Sequence, residues 1–267
     1  MAEAPALAII TTFADLEWDT YARRMVETVA EHLAPTIEFV AVYEGARPDP
    51  IPERVEAVGI SQVVPDLPDL IAFGRRHPQA RGQINGVYDY RFDAVRFCRK
   101  PLVVQGMRRR LPHRSLIWLD ADCVAHGALD EAWLRRALPV DCDFSFLGRA
   151  GLYSECGFLG FNPTPMAYEL IARWADQYRT GAVFKQAQWH DSWVFDQMRY
   201  QLHTEHHLRA KDLGYATGAR GTHIFINSVL GERLDHLKGP RKKLGRSNLS
   251  DLMKPRKEPY WQKGQGA

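Results

Sequence analysis

A chain of 267 residues, 45% hydrophobic and 25% charged, can bury one substantial core, which excludes fibrous and disordered classes and predicts one domain with appendages. Its apolar runs, such as Leu7–Ile10 and Leu116–Leu119, fall far short of the roughly 20 residues needed to cross a bilayer, and Met1-Ala-Glu-Ala-Pro5 lacks the basic start of a secretory signal. The net charge of +3 is uneven: the strip from Lys238 to Glu258 carries +6, so the body is slightly acidic and an anionic partner is expected near the carboxyl terminus. Cys98, Cys123, Cys142 and Cys156 match neither a zinc ribbon nor a disulfide framework, and read as buried reduced thiols of a cytosolic protein.

Leu7 to Phe13 reads as a first strand, Trp18 to Leu33 as a helix with Tyr21, Val26, Val29 and Leu33 at helical spacing, and Ile37 to Tyr43 as a second strand. This βαβ opening contains neither G-x-G-x-x-G nor a Walker-type loop, so the two commonest glycine-rich phosphate cradles are absent. Thr11 and Thr12, where the first strand ends, are either hydrogen-bonding partners for a nucleotide base or ribose or ordinary strand-end threonines. Ala46 to Pro52 is a loop, and Phe73 to Tyr88 a longer one suited to a lid or an acceptor contact. From Tyr90 to Lys100 a helix is predicted, with Arg96 and Lys100 sharing a face; that face fits a diphosphate or is simply solvated.

Ser115-Leu-Ile-Trp-Leu-Asp120-Ala-Asp122 is the stretch around which the rest is arranged. Its apolar part reads as a strand buried on both faces, and it stops at two carboxylates one residue apart. Ligands reach the crevice at the carboxyl ends of parallel strands, and an Asp-x-Asp turn there can aim two oxygens at one hard cation, Mg²⁺ or Mn²⁺, which in turn bridges nucleotide phosphates. The same tripeptide also suits two solvated turn aspartates. Leu129 to Leu138 follows as a helix and Asp143 to Leu147 as a strand; Tyr153 to Phe161 is a further strand that starts with Glu155 and contains Gly157 and Gly160, glycines that imply close approach of backbone or ligand. Asn162-Pro163 reads as a helix start, with Asn162 as cap and Ala167, Ile171, Trp174 and Tyr178 as a core stripe. Another helix opens near Asp191, which falls in its first turn where the helix dipole favours a carboxylate; Asp196 lies well inside. His203, His206 and His207 lack partners at ligand spacing, so no zinc site is expected there. Ile224 to Ser228 reads as a last short strand before the basic strip.

In this order the βαβ opening, basic helix, Asp120-Ala-Asp122, Glu155 before Gly157, the helix at Asp191 and His236-x-x-Gly239-x-x-Lys242 resemble the GT-A glycosyltransferases. Within them the likeness is to the glycogenin and bacterial lipopolysaccharide galactosyltransferase family (glycosyltransferase family 8), over roughly Leu7 to Lys243. The resemblance implies an α/β GT-A (Rossmann-like) nucleotide-diphospho-sugar transferase fold, with a central mixed, mostly parallel sheet flanked by helices. It implies a metal site of Asp120, Asp122 and His236 holding Mn²⁺ or Mg²⁺, with Gly239 and Lys242 on the diphosphate; Thr11, Arg96 and Lys100, read from their own positions, complete with Asp120 the expected donor site. Asp191 and Glu155 are then the carboxylates nearest the reacting carbon, either as a base or as binders of sugar hydroxyls. Residues 1–237 form the catalytic domain, and 238–267 a partly flexible basic segment that closes over the donor.

The implied activity is metal-dependent transfer of a hexose from a nucleotide sugar, a UDP-sugar, to an acceptor that is left open among glycan, lipid-linked glycan, protein and nucleic acid. The chain departs from the family in Lys243-Leu244 where Pro-Trp is usual, in Glu155-Cys-Gly for Asn-Ala-Gly, and in Asp191-Ser192 for Asp-Gln, which leaves donor sugar and stereochemistry open as well. Lys254, Arg256 and Lys257, beside Tyr260 and Trp261, are expected to meet an anionic surface, for a cytoplasmic protein the inner face of a membrane or a charged acceptor. Two other classes share part of this pattern. A nucleotidyltransferase also carries paired aspartates on such a sheet, but the segment Thr11 to Trp18 is acidic and glycine-free where that class has a basic, glycine-rich loop; a nucleic-acid-binding protein accounts for the basic strip and leaves the four carboxylates unused.

Overall fold

A computed structural model describes residues 4, 6–214 and 223–262. The first half of the chain comprises β1 (Leu7–Ala14), α1 (Arg23–His32), β2 (Glu38–Glu44), β3 (Glu56–Gly59), α2 (Ile60–Val63), α3 (Leu67–Arg76), β4 (Gln83–Ile84), β5 (Val87–Tyr88), α4 (Ala94–Phe97), α5 (Arg99–Arg110) and β6 (Ser115–Leu119). The second half comprises β7 (Cys123–Ala125), α6 (Glu131–Ala137), β8 (Phe144–Arg149), β9 (Leu152–Phe161), α7 (Pro165–Arg179), α8 (Asp191–Glu205), β10 (Ala210–Asp212), α9 (Ile224–Asn227), β11 (Leu234–His236), α10 (Arg241–Leu244) and α11 (Pro259–Gln262).

Seven strands form one sheet in the order β10-β8-β9-β6-β1-β2-β3. β9 runs antiparallel to both β6 and β8, and every other neighbouring pair is parallel. Side-chain alternation explains the layers. Ile9, Phe39, Ala41, Ile117 and Leu119 point into a core shared with α1 and α6, while Ala8, Ile10, Val40, Val42, Leu116 and Trp118 point into one shared with α5, α7 and α8. With both faces covered, β1 and β6 need the near-continuous apolar runs that the sequence supplies. The mixed, mostly parallel sheet is therefore as expected.

Local assignments differ in five places. The segment Trp18 to Leu33 opens as a π turn, Trp18–Ala22, preceded by a 3₁₀ turn at Asp15–Glu17, and becomes α-helical only at Arg23. The long loop is largely ordered: α3 runs to Arg76, and Asn85 and Gly86, with φ of 51° and 80°, make the two-residue turn of the β4–β5 hairpin. Tyr90 to Lys100 is not one helix: a 3₁₀ turn at Tyr90–Phe92 and the short α4 precede α5, because Asp93 caps a new start by accepting from the Arg96 amide. Helix α7 is capped by Thr164, whose hydroxyl accepts from the Ala167 amide, not by Asn162. Asn162 is buried instead, donating to the carbonyls of Pro139 and Cys142. Ile224 to Asn227 is helical rather than extended, because a short apolar run buried on all sides carries no period to separate the two states.

The carboxyl-terminal strip is folded onto the body. Asp235 is fully buried and accepts hydrogen bonds from the Ser247 amide and hydroxyl at 2.7 and 2.6 Å and from the Tyr260 hydroxyl at 2.8 Å. Tyr260 stacks on His126 with ring centroids 4.0 Å apart, and the Trp261 indole donates to the Gly231 carbonyl at 2.7 Å. Trp261 is thus a core residue, 1% exposed, rather than part of a surface patch beside Lys254 and Lys257. All four cysteines are buried and free. Among the described residues no helix is long and apolar enough to cross a membrane. Trp261→Ala should cost about 3–5 kcal/mol in denaturant unfolding, and a loss within experimental error would show that the strip is not part of the cooperative fold.

Candidate active site

Strand β6 delivers Asp120 to the carboxyl edge of the sheet, where its amide donates to the Gly157 carbonyl at 3.0 Å and its carbonyl accepts from the Cys123 amide at 2.9 Å. The resulting turn holds Asp120 and Asp122 on one side and leads into β7. His236, far downstream, reaches them because β11 pairs antiparallel with β7 in a register that sets it opposite Cys123. Its Nε2 lies 2.9 Å from Asp122 Oδ1 and 3.8 Å from Asp120 Oδ2. One ligand atom each from Asp120, Asp122 and His236 fall within 4.8 Å of one another. Gly157 makes room for this approach: a Cβ there would sit 2.4 Å from the imidazole Cε1. The glycine's expected close approach is thus to His236.

Cations balance the carboxylates. Lys100 on α5 is largely enclosed and bridges Asp120 Oδ1 at 2.8 Å and Asp191 Oδ2 at 2.6 Å, while donating to the Cys156 carbonyl at 2.9 Å. Burial alone would depress its pKa, yet the two aspartates raise it, so it is held charged. Lys242 reaches Asp122 Oδ2 at 3.0 Å with its ammonium 3.9 Å from the Tyr21 ring centroid. Burial would raise the Asp122 pKa, but His236 and Lys242 hold it well below the usual carboxylate range. His236 is the converse: burial pulls its pKa down, and Asp122 outweighs this to raise it above 6.5. Glu155, at the start of β9, lies 3.6 Å from His236 Nδ1, accepts from the Gly157 amide at 3.0 Å and contacts the Lys238 ammonium. Asp191 opens α8, whose cap is His190 accepting from the Trp193 amide.

These groups line one cleft of about 640 Å³ at the carboxyl ends of β1, β2 and β6, a size suited to a nucleotide-sized ligand. Arg96, Lys100, Asp120, Asp122, Glu155, Asp191, His236, Gly239 and Lys242 all face it. Thr11 does not: its side chain is buried in the sheet, and Thr12 lines the cleft with its hydroxyl donated to the Val42 carbonyl. Gly239 has a φ of 57° and open space where a Cβ would be, so its backbone is exposed to the cleft. Residues that sequence reasoning passed over are Trp118, whose indole donates to Asp120 Oδ1 at 2.7 Å, and Tyr21 beneath Lys242; Lys238, the first residue of the basic strip, lies against Glu155. Trp118 and Tyr21 read as core from the sequence, and nothing in their spacing marks the polar tip.

Two carboxylates and an imidazole are a donor set that suits a divalent cation tolerant of oxygen and nitrogen ligands, and the buried His236 turns its Nε2 toward both aspartates. A bound cation would take over the neutralisation now supplied by Lys242 and protonated His236. Ligation requires neutral imidazole, so affinity for Mn²⁺, used as probe, should fall as pH drops through the raised His236 pKa. The metal-free protein should do the opposite. His236 protonation stabilises it fully below 6.5, and that contribution is lost as pH rises through the folded-state pKa. Calorimetric Mn²⁺ titration and thermal unfolding in chelator, over the same pH series, read the two trends; a pH-independent affinity would remove His236 from the ligand set. Gly157→Ala should weaken Mn²⁺ binding about tenfold or more by displacing His236.

No protein-family profile matches the sequence, and no curated protein matches it. Among solved structures the chain is similar to a glycosyltransferase involved in the glycosylation of the major capsid of PBCV-1, at 13% identity, covering 90% of this chain and 98% of that one with a TM-score of 0.53. Also similar are mouse xyloside xylosyltransferase 1, at 12% identity over 78% of this chain and 85% of that one with a TM-score of 0.46, and the PaToxG glycosyltransferase, at 10% identity over 74% and 70% with a TM-score of 0.40. The first of these structures is a glycosyltransferase, and the fold that this chain shares with it is GT-A.

Proposed function

We propose that this chain is a metal-dependent glycosyltransferase that moves a hexose from a UDP-sugar to an acceptor hydroxyl. The observation that carries the reading is the convergence in one cleft of a three-ligand cation cluster, two lysines on its carboxylates, and two further carboxylates, Glu155 and Asp191. A Mn²⁺ or Mg²⁺ ion held by Asp120, Asp122 and His236 would supply charge stabilisation to the departing diphosphate. Lys242, Arg96 and the open backbone at Gly239 are the chain's own contacts for that diphosphate, and a fixed lysine so placed is worth about 3 kcal/mol of transition-state stabilisation. The sugar's C1–oxygen bond to the diphosphate breaks as the C1–oxygen bond to the acceptor forms, and the acceptor's proton must leave. Asp191 and Glu155 are the carboxylates available to take it or to hold sugar hydroxyls in place.

In this reading residues 1–237 are the catalytic body, and 238–267 contribute the closing side of the donor site. Residues 263–267 lie outside the described structure. The acidic start of the segment after β1, with Glu17 facing the cleft, favours a metal-bridged diphosphate over the basic triphosphate loop of a nucleotidyltransferase.

UDP with Mn²⁺ at about 100 times its dissociation constant should stabilise the parent by roughly 2.7 kcal/mol. Asp122→Asn should abolish that thermal shift, and an equal shift in parent and variant would refute the metal assignment. Asp191→Asn should retain UDP binding while transfer falls by about 10²–10⁴-fold; loss of UDP binding would put Asp191 in the nucleotide site instead.

A further inference from the structure

The hairpin β4–β5 and the turn after it form a rim beside the cleft that the donor reading leaves unused. Tyr88 and Tyr90 stand on it, 47% and 45% exposed, yet both are tied to the cleft wall. The Tyr88 hydroxyl donates to Asp93 Oδ2 at 3.1 Å and accepts from Arg96 at 3.5 Å, two residues that line the cleft. The Tyr90 hydroxyl is 2.9 Å from that of Tyr153, which lies two positions before Glu155 on β9. Both rings pack on His190, the residue before Asp191, at centroid distances of 5.8 and 4.4 Å. His190 in turn meets Phe97 of the cleft wall at 5.9 Å. An aromatic path therefore runs from the rim through His190 to Phe97, which lines the same cleft as Glu155 and Asp191.

We propose that this rim is the acceptor subsite and that the acceptor presents a sugar residue to Tyr90 and Tyr153; the proposal rests on the reading of the cleft as a glycosyl-transfer site. A pyranose has a flat face of C–H groups and an edge of hydroxyls. Tyrosine matches both, with an apolar ring face and a polar tip, and rings already fixed by hydrogen bonds lose little freedom on binding. The surroundings are charged: Arg91 pairs with Asp89 at 2.6 Å, and the Arg149 guanidinium lies 4.8 Å from the Tyr153 ring centroid. Such groups suit hydroxyls. An acyl chain would have to desolvate them without return.

Saturation-transfer NMR on the whole chain, with methyl glycosides of glucose, galactose, mannose and xylose as probes, tests this without donor. The parent should transfer saturation to the C–H protons of at least one glycoside. Tyr90→Ala should weaken that binding about tenfold, whereas Tyr90→Phe should keep most of it because the ring remains. No transfer to any glycoside, undiminished transfer to Tyr90→Ala, or binding of phosphatidylcholine vesicles in place of glycosides would each overturn the proposal. UDP and Mn²⁺ titrated into the same parent sample report on the donor site separately. Their failure to bind would strike the transferase reading, whereas failure of the glycosides alone strikes only the rim.

Discussion

The structure depends on a two-stranded ribbon. β7 continues from the Asp-x-Asp turn and, among the described residues, pairs with β11 alone, so the carboxyl-terminal part of the chain is anchored at the point where the sheet presents its carboxylates. Antiparallel register puts His236 against Cys123, and the Leu237 amide on the Asp122 carbonyl at 2.9 Å locks it there. Strand pairing is discrete: a slip of one residue would turn His236 away from the cleft and Asp235 toward it. Asp235 is the guard against that slip, since its buried carboxylate is saturated by Ser247 and Tyr260 on the far side of the ribbon. One face of three residues thus makes the site while the other fastens the tail.

Electrostatics explains why so many charges share so little space. Asp122 is buried, and an unpaired carboxylate there would be protonated or would destabilise the fold by several kcal/mol. Lys100 spans Asp120 and Asp191, so the cation cluster and the carboxylate of α8 are linked through one ammonium. Lys242 is held by its ring contact with Tyr21, whose hydroxyl pKa is raised by burial and by Glu17. The cleft is polar and preorganised before any ligand arrives, which is the condition under which fixed charges act on a developing one without reorganisation.

The central strands were legible because β1, β2 and β6 are buried on both faces and must therefore be apolar almost without interruption. β3 escaped notice for the opposite reason: Glu56-Ala-Val-Gly59 is an edge strand with one buried side chain, Val58, and has too little apolar character to stand out. The Asp-x-Asp turn and the His-x-x-Gly-x-x-Lys motif could be read as short patterns, and the structure brings them together. Long-range pairing could not be read. Lys100 was open between a diphosphate contact and a solvated basic face because the carboxylates it meets come from β6 and α8, and Trp261 looked like a surface aromatic because its cavity is made by residues near Gly231. Thr11 and Thr12 differ only in which face of β1 they occupy, a parity that strand period defines but a boundary error of one residue reverses.

The central claim is that Asp120, Asp122 and His236 hold one divalent ion that also meets the donor's diphosphate. Pulsed electron–nuclear double resonance on the protein with Mn²⁺ and UDP addresses both halves in one spectrum. One histidine nitrogen coupling together with phosphorus couplings is the predicted result, with the nitrogen signal absent from His236→Gln. Phosphorus couplings without any nitrogen, as a Mn²⁺–UDP complex would give free in solution, would contradict it.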